Sequence, residues 1–347
     1  MKSKNFFKIN LIYFIAMSLV AIVFVLGSLG FVQSDVLSSF LIQIVVMFAV
    51  PMLMYSLLVS KSGKQTLNDF GVKKIGGRMT LISIGLGVVL YLLNSFVADV
   101  FASIISLLGY ENLTSTSTVE FNYGLLLKEF ALSAVLPGIC EEFLHRGLML
   151  HAGKKHGNTR FCLFASSLLF GLMHLNVNQF FYASILGFLM GYVSLMADSI
   201  VPCMIIHFMN NALSTYFFYG YQLHWNFAML FAEIEALIYS NFLTFVLVTT
   251  ISVLLLITLY RYLCRLMYKE KIKGDIIKII KYLELNDLPI EEAQEKINEV
   301  NVLLEKAGHF SAEESKKKFS LLDKSFLISS IVLGGLITIS SFIWGLI

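Results

Sequence analysis

The sequence predicts an all-α fold, a polytopic transmembrane helical bundle of about eight or nine spans with a small cytoplasmic helical hairpin. Three observations predict it. Hydrophobic residues make up 57% of the 347 residues. Charged residues make up only 14%, whereas soluble domains carry about 25%. Apolar runs of about 20 residues recur along the chain, and an α-helix needs this length to cross a bilayer.

The apolar runs place the spans in order along the chain. The first run follows a basic segment and is too long for the apolar part of a signal peptide, so we interpret it as a retained helix. Segment 226–240 contains two glutamates and is interpreted as interfacial or re-entrant. The predicted spans are 9–32, 36–60, 79–108, 125–152, 160–175, 178–197, 199–219, 241–263 and 324–347.

Residues 264–323 differ from the rest because they are polar and rich in Lys and Glu. Apolar residues recur at helical spacing before and after Leu288-Pro289, which predicts two short helices. This hairpin is interpreted either as a packed insert or as the docking site of a cytoplasmic regulator.

The span pattern divides the chain into five parts. Residues 1–124 form the N-terminal helices, and residues 125–220 form a core that contains the polar residues described below. Residues 221–263 hold further membrane segments, 264–323 the hairpin, and 324–347 the last span.

Basic residues in the connections predict the orientation, because Lys and Arg collect on the cytoplasmic side. The intervening connections have no basic residues, and one of them contains the N-L-T acceptor Asn112–Thr114. We therefore expect a multi-pass protein of the cell membrane, with the N-terminus and 264–323 in the cytoplasm. The basic residues are Lys2, Lys4 and Lys8, then Lys61, Lys64, Lys73, Lys74 and Arg78, and then Arg146, Lys154, Lys155 and Arg160 in a 146–160 connection.

Composition excludes several classes of protein. The net charge of +3 is small and dispersed, so no nucleic-acid surface is predicted. No phosphate-binding glycine loop and no internal repeat of a transporter are recognisable. Four scattered cysteines without paired spacing indicate buried thiols rather than disulfides or a cysteine zinc site. These cysteines are Cys140, Cys162, Cys203 and Cys264.

The first unusual group is the run GICEEFLHRG inside the fourth span. Charges within a membrane are costly and usually face protein or water. Glu142 and Arg146 are four residues apart, so on a helix they can form an ion pair that locks helices together. Glu141 then has no arginine partner and remains available for chemistry. Cys140 and His145 receive no role.

Two more polar groups follow on later spans. His174 ends the run Phe170-Gly-Leu-Met-His174, and alone it is more often a hydrogen-bonded packing residue than a catalyst. His207 and Asn211 are four residues apart and share one helix face. Alone, this pair is more often explained by hydrogen bonds between helices. It can also bind an anion or a carbonyl oxygen.

Distance along the spans brings these groups to a common depth. At a rise of about 1.5 Å per residue, Glu141 and His174 lie roughly 18 and 21 Å from the cytoplasmic ends of their spans. His207 and Asn211 lie roughly 14 and 20 Å from theirs. Unrelated packing residues are not expected to align in this way, so we predict that the four residues meet.

Two mechanisms fit such a set. Glu141 and His174 can hold and deprotonate a water molecule, while His207 and Asn211 stabilise the oxyanion formed on a peptide carbonyl. Alternatively, Glu141, His174 and His207 bind a divalent metal such as zinc with an open position for water. The motif H-E-x-x-H of the common zinc peptidases is absent. The residues alone leave both mechanisms open.

The order E-E-x-x-x-R, F-x-x-x-H and H-x-x-x-N over residues 125–215 resembles the CAAX prenyl protease and bacteriocin-processing family of intramembrane endopeptidases, also called CPBP or ABI. The resemblance implies a bundle of about eight helices with its site in a cavity open to the cytoplasm and the bilayer. It implies that Glu141 and His174 activate water, that His207 and Asn211 form the oxyanion hole, and that no cofactor is needed. Glu142 and Arg146 would support these residues.

The resemblance implies membrane lipid and a peptide or protein substrate with a membrane-proximal segment as partners. Family members process CAAX proteins or bacteriocins, confer self-immunity, or regulate surface display, and some have lost catalytic residues and act as scaffolds. All three motifs are intact here, which favours a working protease. A non-catalytic regulator acting through 264–323 and a proton-coupled transporter remain the alternatives.

Overall fold

The computed structural model describes residues 2–31, 34–60, 62–110, 121–286, 289–306 and 321–344. Regular structure in these ranges is helical, in twelve helices that we number in chain order. They are α1 Lys2–Ser28, α2 35–60, α3 Gly63–Asp69, α4 Gly77–Leu107, α5 Tyr123–His156, α6 Thr159–Leu172, α7 Val177–Ala197, α8 Val201–Gln222, α9 Asn226–Tyr239, α10 Phe242–Leu285, α11 Ile290–Lys306 and α12 Leu321–Trp344.

The helices confirm the predicted fold class, an all-α polytopic membrane protein. Within the described residues, seven of them are long and apolar enough to cross a membrane, namely α1, α2, α4, α5, α7, α10 and α12. The predicted span 160–175 corresponds to α6, which has only 14 residues. The predicted span 199–219 corresponds to α8, which has 22 residues but carries the polar residues of the candidate site.

The C-terminal part differs from the expected hairpin in one respect. α10 is a single helix of 44 residues, so it runs from the predicted span 241–263 through residue 264 without a break. The first helix of the insert is therefore the continuation of a span, and α11 follows as the second. Segment 226–240 forms the separate helix α9. Residues Leu288, 307–320, Lys61 and the acceptor Asn112–Thr114 lie outside the described residues.

Wide π-helical winding interrupts the two helices closest to the candidate site. In α2 it covers Phe40–Ala49, and in α5 it covers Phe130–Val135 and Phe143–Ala152. Such winding rotates the following side chains relative to a regular α-helix and is frequent at functional sites. In α5 it begins directly after Glu141-Glu142.

The core helices approach closely where glycines allow it. A Cβ on Gly138 of α5 would lie 3.1 Å from the backbone nitrogen of Phe208 in α8. A Cβ on Gly171 of α6 would lie 2.5 Å from the carbonyl oxygen of Phe180 in α7. Small residues permit this backbone contact between membrane helices. The pair of glutamates on α5 is thereby held against the polar face of α8.

Ion pairs tie together one end of the bundle, which we call the basic end. Asp198, in the turn between α7 and α8, pairs with Lys73 and, at 3.1 Å, with Lys154. Lys155 pairs with Asp69 of α3 at 2.6 Å. Arg146 does not belong to this end, so the prediction that it lies in a basic cytoplasmic connection is wrong. It lies fully buried within α5, because its charge is paired inside the bundle.

The prediction of buried thiols is confirmed. All four cysteines are free and buried. They lie in apolar helices at separate places in the fold, so no disulfide links the helices that position the candidate site.

Candidate active site

The four residues predicted to be catalytic line one cavity of about 510 Å³. It lies between α2, α4, α5, α6, α7 and α8. Besides Glu141, His174, His207 and Asn211, its wall contains many groups that can form hydrogen bonds. These include Gln43, Tyr91, Asn94, Ser95, Ser133, Gln179, Tyr182, Asn210, Ser214 and Thr215. A polar cavity within a membrane bundle provides the environment that water and a peptide bond require.

Glu141 lines the cavity and accepts one hydrogen bond from a neighbouring helix. Gln43 Nε2 of α2 donates a hydrogen bond of 2.8 Å to Glu141 Oε1. The other oxygen, Oε2, lies 4.0 Å from His207 Nε2, which is beyond direct hydrogen-bond distance. Glu141 is only 9% exposed. Its carboxylate is thus oriented by a neutral donor and is not neutralised by an arginine.

Glu142 connects Arg146 to His207 of the candidate site. Its Oε1 accepts hydrogen bonds from Arg146 Nη1 at 2.7 Å and from His207 Nδ1 at 2.9 Å. Glu142 and Arg146 are fully buried, which confirms the predicted ion pair within α5. Arg146 Nη2 also donates to the carbonyl of Gly187 in α7 at 3.1 Å. Glu142 therefore fixes the imidazole of α8 as well as pairing with the arginine.

The hydrogen bond of His174 to the backbone determines which of its two ring nitrogens carries the proton. Its Nδ1 lies 2.9 Å from the carbonyl oxygen of Phe170. A carbonyl oxygen only accepts, so Nδ1 carries the proton. In the neutral ring Nε2 then has a free lone pair and is able to take a proton from water.

Asn211 is oriented by two amide contacts. Its Nδ2 donates to the carbonyl oxygen of Ser133 in α5 at 2.8 Å, and its Oδ1 accepts from Asn210 Nδ2 at 3.0 Å. The bond to Ser133 is a hydrogen bond between helices, as one of the two interpretations predicts. Because the amide nitrogen has two hydrogens, one remains for another acceptor.

Phe170 forms the apolar centre of the site. The Arg146 guanidinium carbon lies 4.4 Å from the centre of its ring, a distance typical of a cation–π contact. The rings of His145, His174 and His207 lie edge-on to it at centroid distances of 5.0, 5.2 and 5.6 Å. This single side chain therefore sets the spacing between the three imidazoles and the arginine.

His145, which the sequence leaves without a role, attaches α5 to α1. Its Nδ1 lies 2.9 Å from the carbonyl oxygen of Glu141, so Nδ1 is the donor. Its Nε2 then accepts from the Tyr13 hydroxyl at 2.9 Å. His145 and Tyr13 are both buried, and together they fix the backbone at Glu141.

The alternative mechanism needs Glu141, His174 and His207 to converge on one metal ion. In the described part of the chain, no group of three or more His, Cys, Asp or Glu side chains is placed to hold one metal ion. We therefore derive no chemical step through a metal.

The cavity lies away from the basic end of the bundle. On α4 its lining runs from Tyr91 to Ala98, roughly 20 to 30 Å from the N-terminus of that helix. The resemblance implies a cavity open to the cytoplasm and the bilayer. On α4 this lining begins at the middle of the helix and continues away from the basic end.

Comparison with known families gives a match to the part of the chain that holds the candidate site. Residues 124–213 match the Rce1-like family of type II CAAX prenyl endopeptidases. The segment is about a quarter of the chain and contains the four predicted catalytic residues and both supporting ones. The predicted resemblance is thereby confirmed over this segment, and it indicates a membrane protease of the CAAX type. No curated protein and no solved structure matches the chain.

Sequence reasoning misses the contributions of the first two helices. Gln43 and Tyr13 lie outside the matched segment, yet Gln43 contacts Glu141 directly and Tyr13 contacts His145. A single glutamine in an apolar run was the only available signal for Gln43. Nothing distinguishes Tyr13 from the other aromatic residues of the spans.

Proposed function

We propose that the protein is an intramembrane endopeptidase in which Glu141 and His174 activate water, and His207 and Asn211 stabilise the oxyanion. The observation that carries the proposal is the cavity that all four residues line, with Glu141 free of any arginine partner. The family match over residues 124–213 supports the reaction class. Neither a metal nor an organic cofactor enters the proposal.

The first step is the attack of water on the peptide carbonyl. Glu141 Oε2 and His174 Nε2 are the two acceptors that remain free after the bonds to Gln43 and Phe170. Water bound between them loses a proton to this pair, and its oxygen bonds to the carbonyl carbon. The carbonyl π-electrons move to oxygen and form the oxyanion. The captured proton is then delivered to the amide nitrogen as the C–N bond breaks.

The oxyanion donors are His207 Nε2–H and the second amide hydrogen of Asn211. Nδ1 of His207 already donates to Glu142, so a proton on Nε2 as well gives the ring a positive charge. Two carboxylates, Glu141 and Glu142, then face two cations, Arg146 and His207, and the buried cluster is neutral overall. Charge balance of this kind lowers the free-energy cost of burying the four charged groups within a membrane.

We infer the route of substrate entry from the part of α4 that lines the cavity. The proposed substrate is a peptide or protein whose membrane-proximal segment reaches the half of the bilayer opposite the basic end. The proposed location is the cell membrane, with the N-terminus and 264–323 in the cytoplasm. Lipid surrounds the bundle, and residues 264–323 remain a proposed docking site for a cytoplasmic regulator.

Substrate trapping tests the reaction. Wild-type protein and the Glu141→Gln variant are expressed in membranes of the same host, and new peptide N-termini are compared by mass spectrometry. We expect N-termini that appear only with the wild type, and uncleaved precursors that co-purify with the variant. Identical N-termini in both samples would contradict the proposal, as would proton-driven solute flux in proteoliposomes without any cleavage.

Cysteine labelling tests the face from which the cavity is reached. The four native cysteines are buried, so an introduced cysteine gives a clear signal. Ala98→Cys lies at the end of the cavity far from the basic end, and Lys64→Cys lies in α3 at the basic end. We expect a membrane-impermeant thiol reagent to label these two variants from opposite sides. Labelling of both from one side would overturn the proposed entry.

A further inference from the structure

A second cavity, of about 310 Å³, lies at the basic end and is separate from the candidate active site. It is formed where the loop before α4 and the turn after α7 meet the cytoplasmic extension of α10. Its wall contains six cationic and three anionic side chains, so positive charge is in excess. They are Lys73, Lys74, Arg78, Lys271, Lys273 and Lys278, with Asp198, Glu270 and Asp275.

The acidic residues of this second cavity are already engaged. Asp198 pairs with Lys73, and Glu270 with Arg78 at 3.4 Å. Asp275 pairs with Lys271 at 2.9 Å and with Lys278 at 3.3 Å, and these pairs leave two lysines over. Those two are Lys74 and Lys273, which are exposed and have no ion pair with any residue that the structure describes.

The depth of the second cavity indicates what it meets. Lys74 and Arg78 directly precede the apolar part of α4, so they lie at the level of the lipid headgroups. The first turn of α4 also faces this cavity with a glycine cap, Gly76, that provides no side-chain acceptor for the free N–H groups. Such N–H groups add to the attraction of the lysines for an anion.

Basic residues tend to collect on the cytoplasmic side of membrane proteins. This tendency explains why the second cavity has many lysines, but not why they surround one concave site. Three segments far apart in sequence converge here on one concave site, and two cations in it are left without a counter-ion. Basic pockets between membrane helices are typical sites for phosphate-bearing lipid headgroups. We propose that this cavity binds the phosphate of an anionic phospholipid headgroup through Lys74 and Lys273.

The test uses the purified full-length protein and native mass spectrometry with dioctanoyl phosphatidylglycerol, dioctanoyl phosphatidylcholine and inorganic phosphate. Both lipids carry a phosphate, but only phosphatidylglycerol has a net negative charge. We expect tighter binding of phosphatidylglycerol, and an apparent Kd raised on the order of tenfold in the double variant Lys74→Gln/Lys273→Gln. The double variant with arginine at both positions should keep the affinity.

The matched control is Lys269→Gln/Lys281→Gln, which removes the same charge from exposed positions of α10 outside the second cavity. It should bind phosphatidylglycerol as the wild type does. An equal loss in both glutamine variants, or no preference for phosphatidylglycerol over phosphatidylcholine, would overturn the proposal. Competition by inorganic phosphate at millimolar concentration would reassign the site from lipid to free phosphate. None of these outcomes depends on protease activity.

Discussion

Gln43 and Glu141, 98 residues apart in the chain, are joined by a hydrogen bond of 2.8 Å from Nε2 to Oε1. Gln43 lies in the π-helical part of α2. Glu141 lies in the α-helical turn of α5 that directly precedes the π-helical part Phe143–Ala152. The bond turns the second carboxylate oxygen of Glu141 towards the cavity. Gln43 is thus a positioning residue for the proposed base.

Removal of this donor should slow the reaction without weakening substrate binding. A hydrogen bond to a charged group contributes about 1.5–3 kcal/mol. Gln43→Leu should therefore lower kcat roughly 10- to 100-fold and leave KM almost unchanged. Gln179→Leu makes the same change elsewhere in the cavity and should leave kcat near the wild-type value. Full kcat in Gln43→Leu would refute the positioning role.

The two adjacent glutamates should respond differently to the same substitution. Glu141→Gln should abolish cleavage and lower the thermal unfolding midpoint only slightly, because the hydrogen-bond partner of Glu141 is a neutral amide and its nearest cationic atom, His207 Nε2, is 4.0 Å away. Glu142→Gln should lower the midpoint, because Arg146 then lies fully buried without its counter-charge. Breaking a buried pair typically costs about 3–5 kcal/mol. Thermal melts followed by circular dichroism in detergent measure the midpoints of the two variants. Equal midpoints would contradict the different roles proposed for Glu141 and Glu142.

Asn211 should act on the rate rather than on binding. Loss of one oxyanion donor lowers kcat by about 10²–10³, and Asn211→Ala is expected to do so with little change in KM. Asn210→Ala is the neighbouring comparison, since Asn210 donates a hydrogen bond to the amide oxygen of Asn211 rather than supplying the proposed oxyanion donor. Its effect should be smaller. A raised KM at normal kcat in Asn211→Ala would assign it to substrate binding instead.

Chelation should leave the protease active. Among the described residues, no three His, Cys, Asp or Glu side chains are placed to hold one metal ion. Activity is measured before and after dialysis against a chelator, together with the zinc content of the purified protein. Stoichiometric zinc whose removal abolishes activity would establish the metal mechanism.

Asp198 should make stability depend on acid pH. Burial opposes its ionisation, but attraction by Lys154 and the hydrogen bond from Lys73 outweigh burial and hold the pKa of Asp198 below the ordinary 3.8. A carboxyl with a depressed folded pKa stabilises the protein above its unfolded pKa, and this contribution is lost as pH falls below it. Asp198→Asn should therefore lower the unfolding midpoint at pH 7.

The pH series distinguishes this ion pair from a packing effect. The difference between wild type and Asp198→Asn should shrink as pH falls below 3.8, because the carboxyl of the unfolded chain then takes up a proton while that of the folded protein is still ionised. Asn tolerates the left-handed backbone at this position, where φ is 49°. Glu299→Gln, on the exposed surface of α11, is the control and should change the midpoint little. A difference independent of pH would contradict the electrostatic explanation.

The sequence by itself determined what local spacing and composition control. Apolar runs of bilayer length determine a helical membrane protein, because a backbone in lipid must satisfy its own hydrogen bonds. The four-residue spacing of Glu142 and Arg146 determines their ion pair, because such residues meet on one turn of a helix. The rise of an α-helix per residue also predicted that Glu141 and the polar groups of the later spans share one depth.

Only the tertiary structure decided which residues from distant helices complete the site. Phe170 belongs to the F-x-x-x-H motif, and Gln43 is a lone glutamine in an apolar run, but the contacts of these residues and of Tyr13 arise from helix packing that no local pattern encodes. The bond between Glu142 and His207 likewise depends on the close approach of α5 and α8 at Gly138. The structure was also needed to show that α10 is one continuous helix. The sequence changes from apolar to polar at residue 264, but the helix continues through this point without a break.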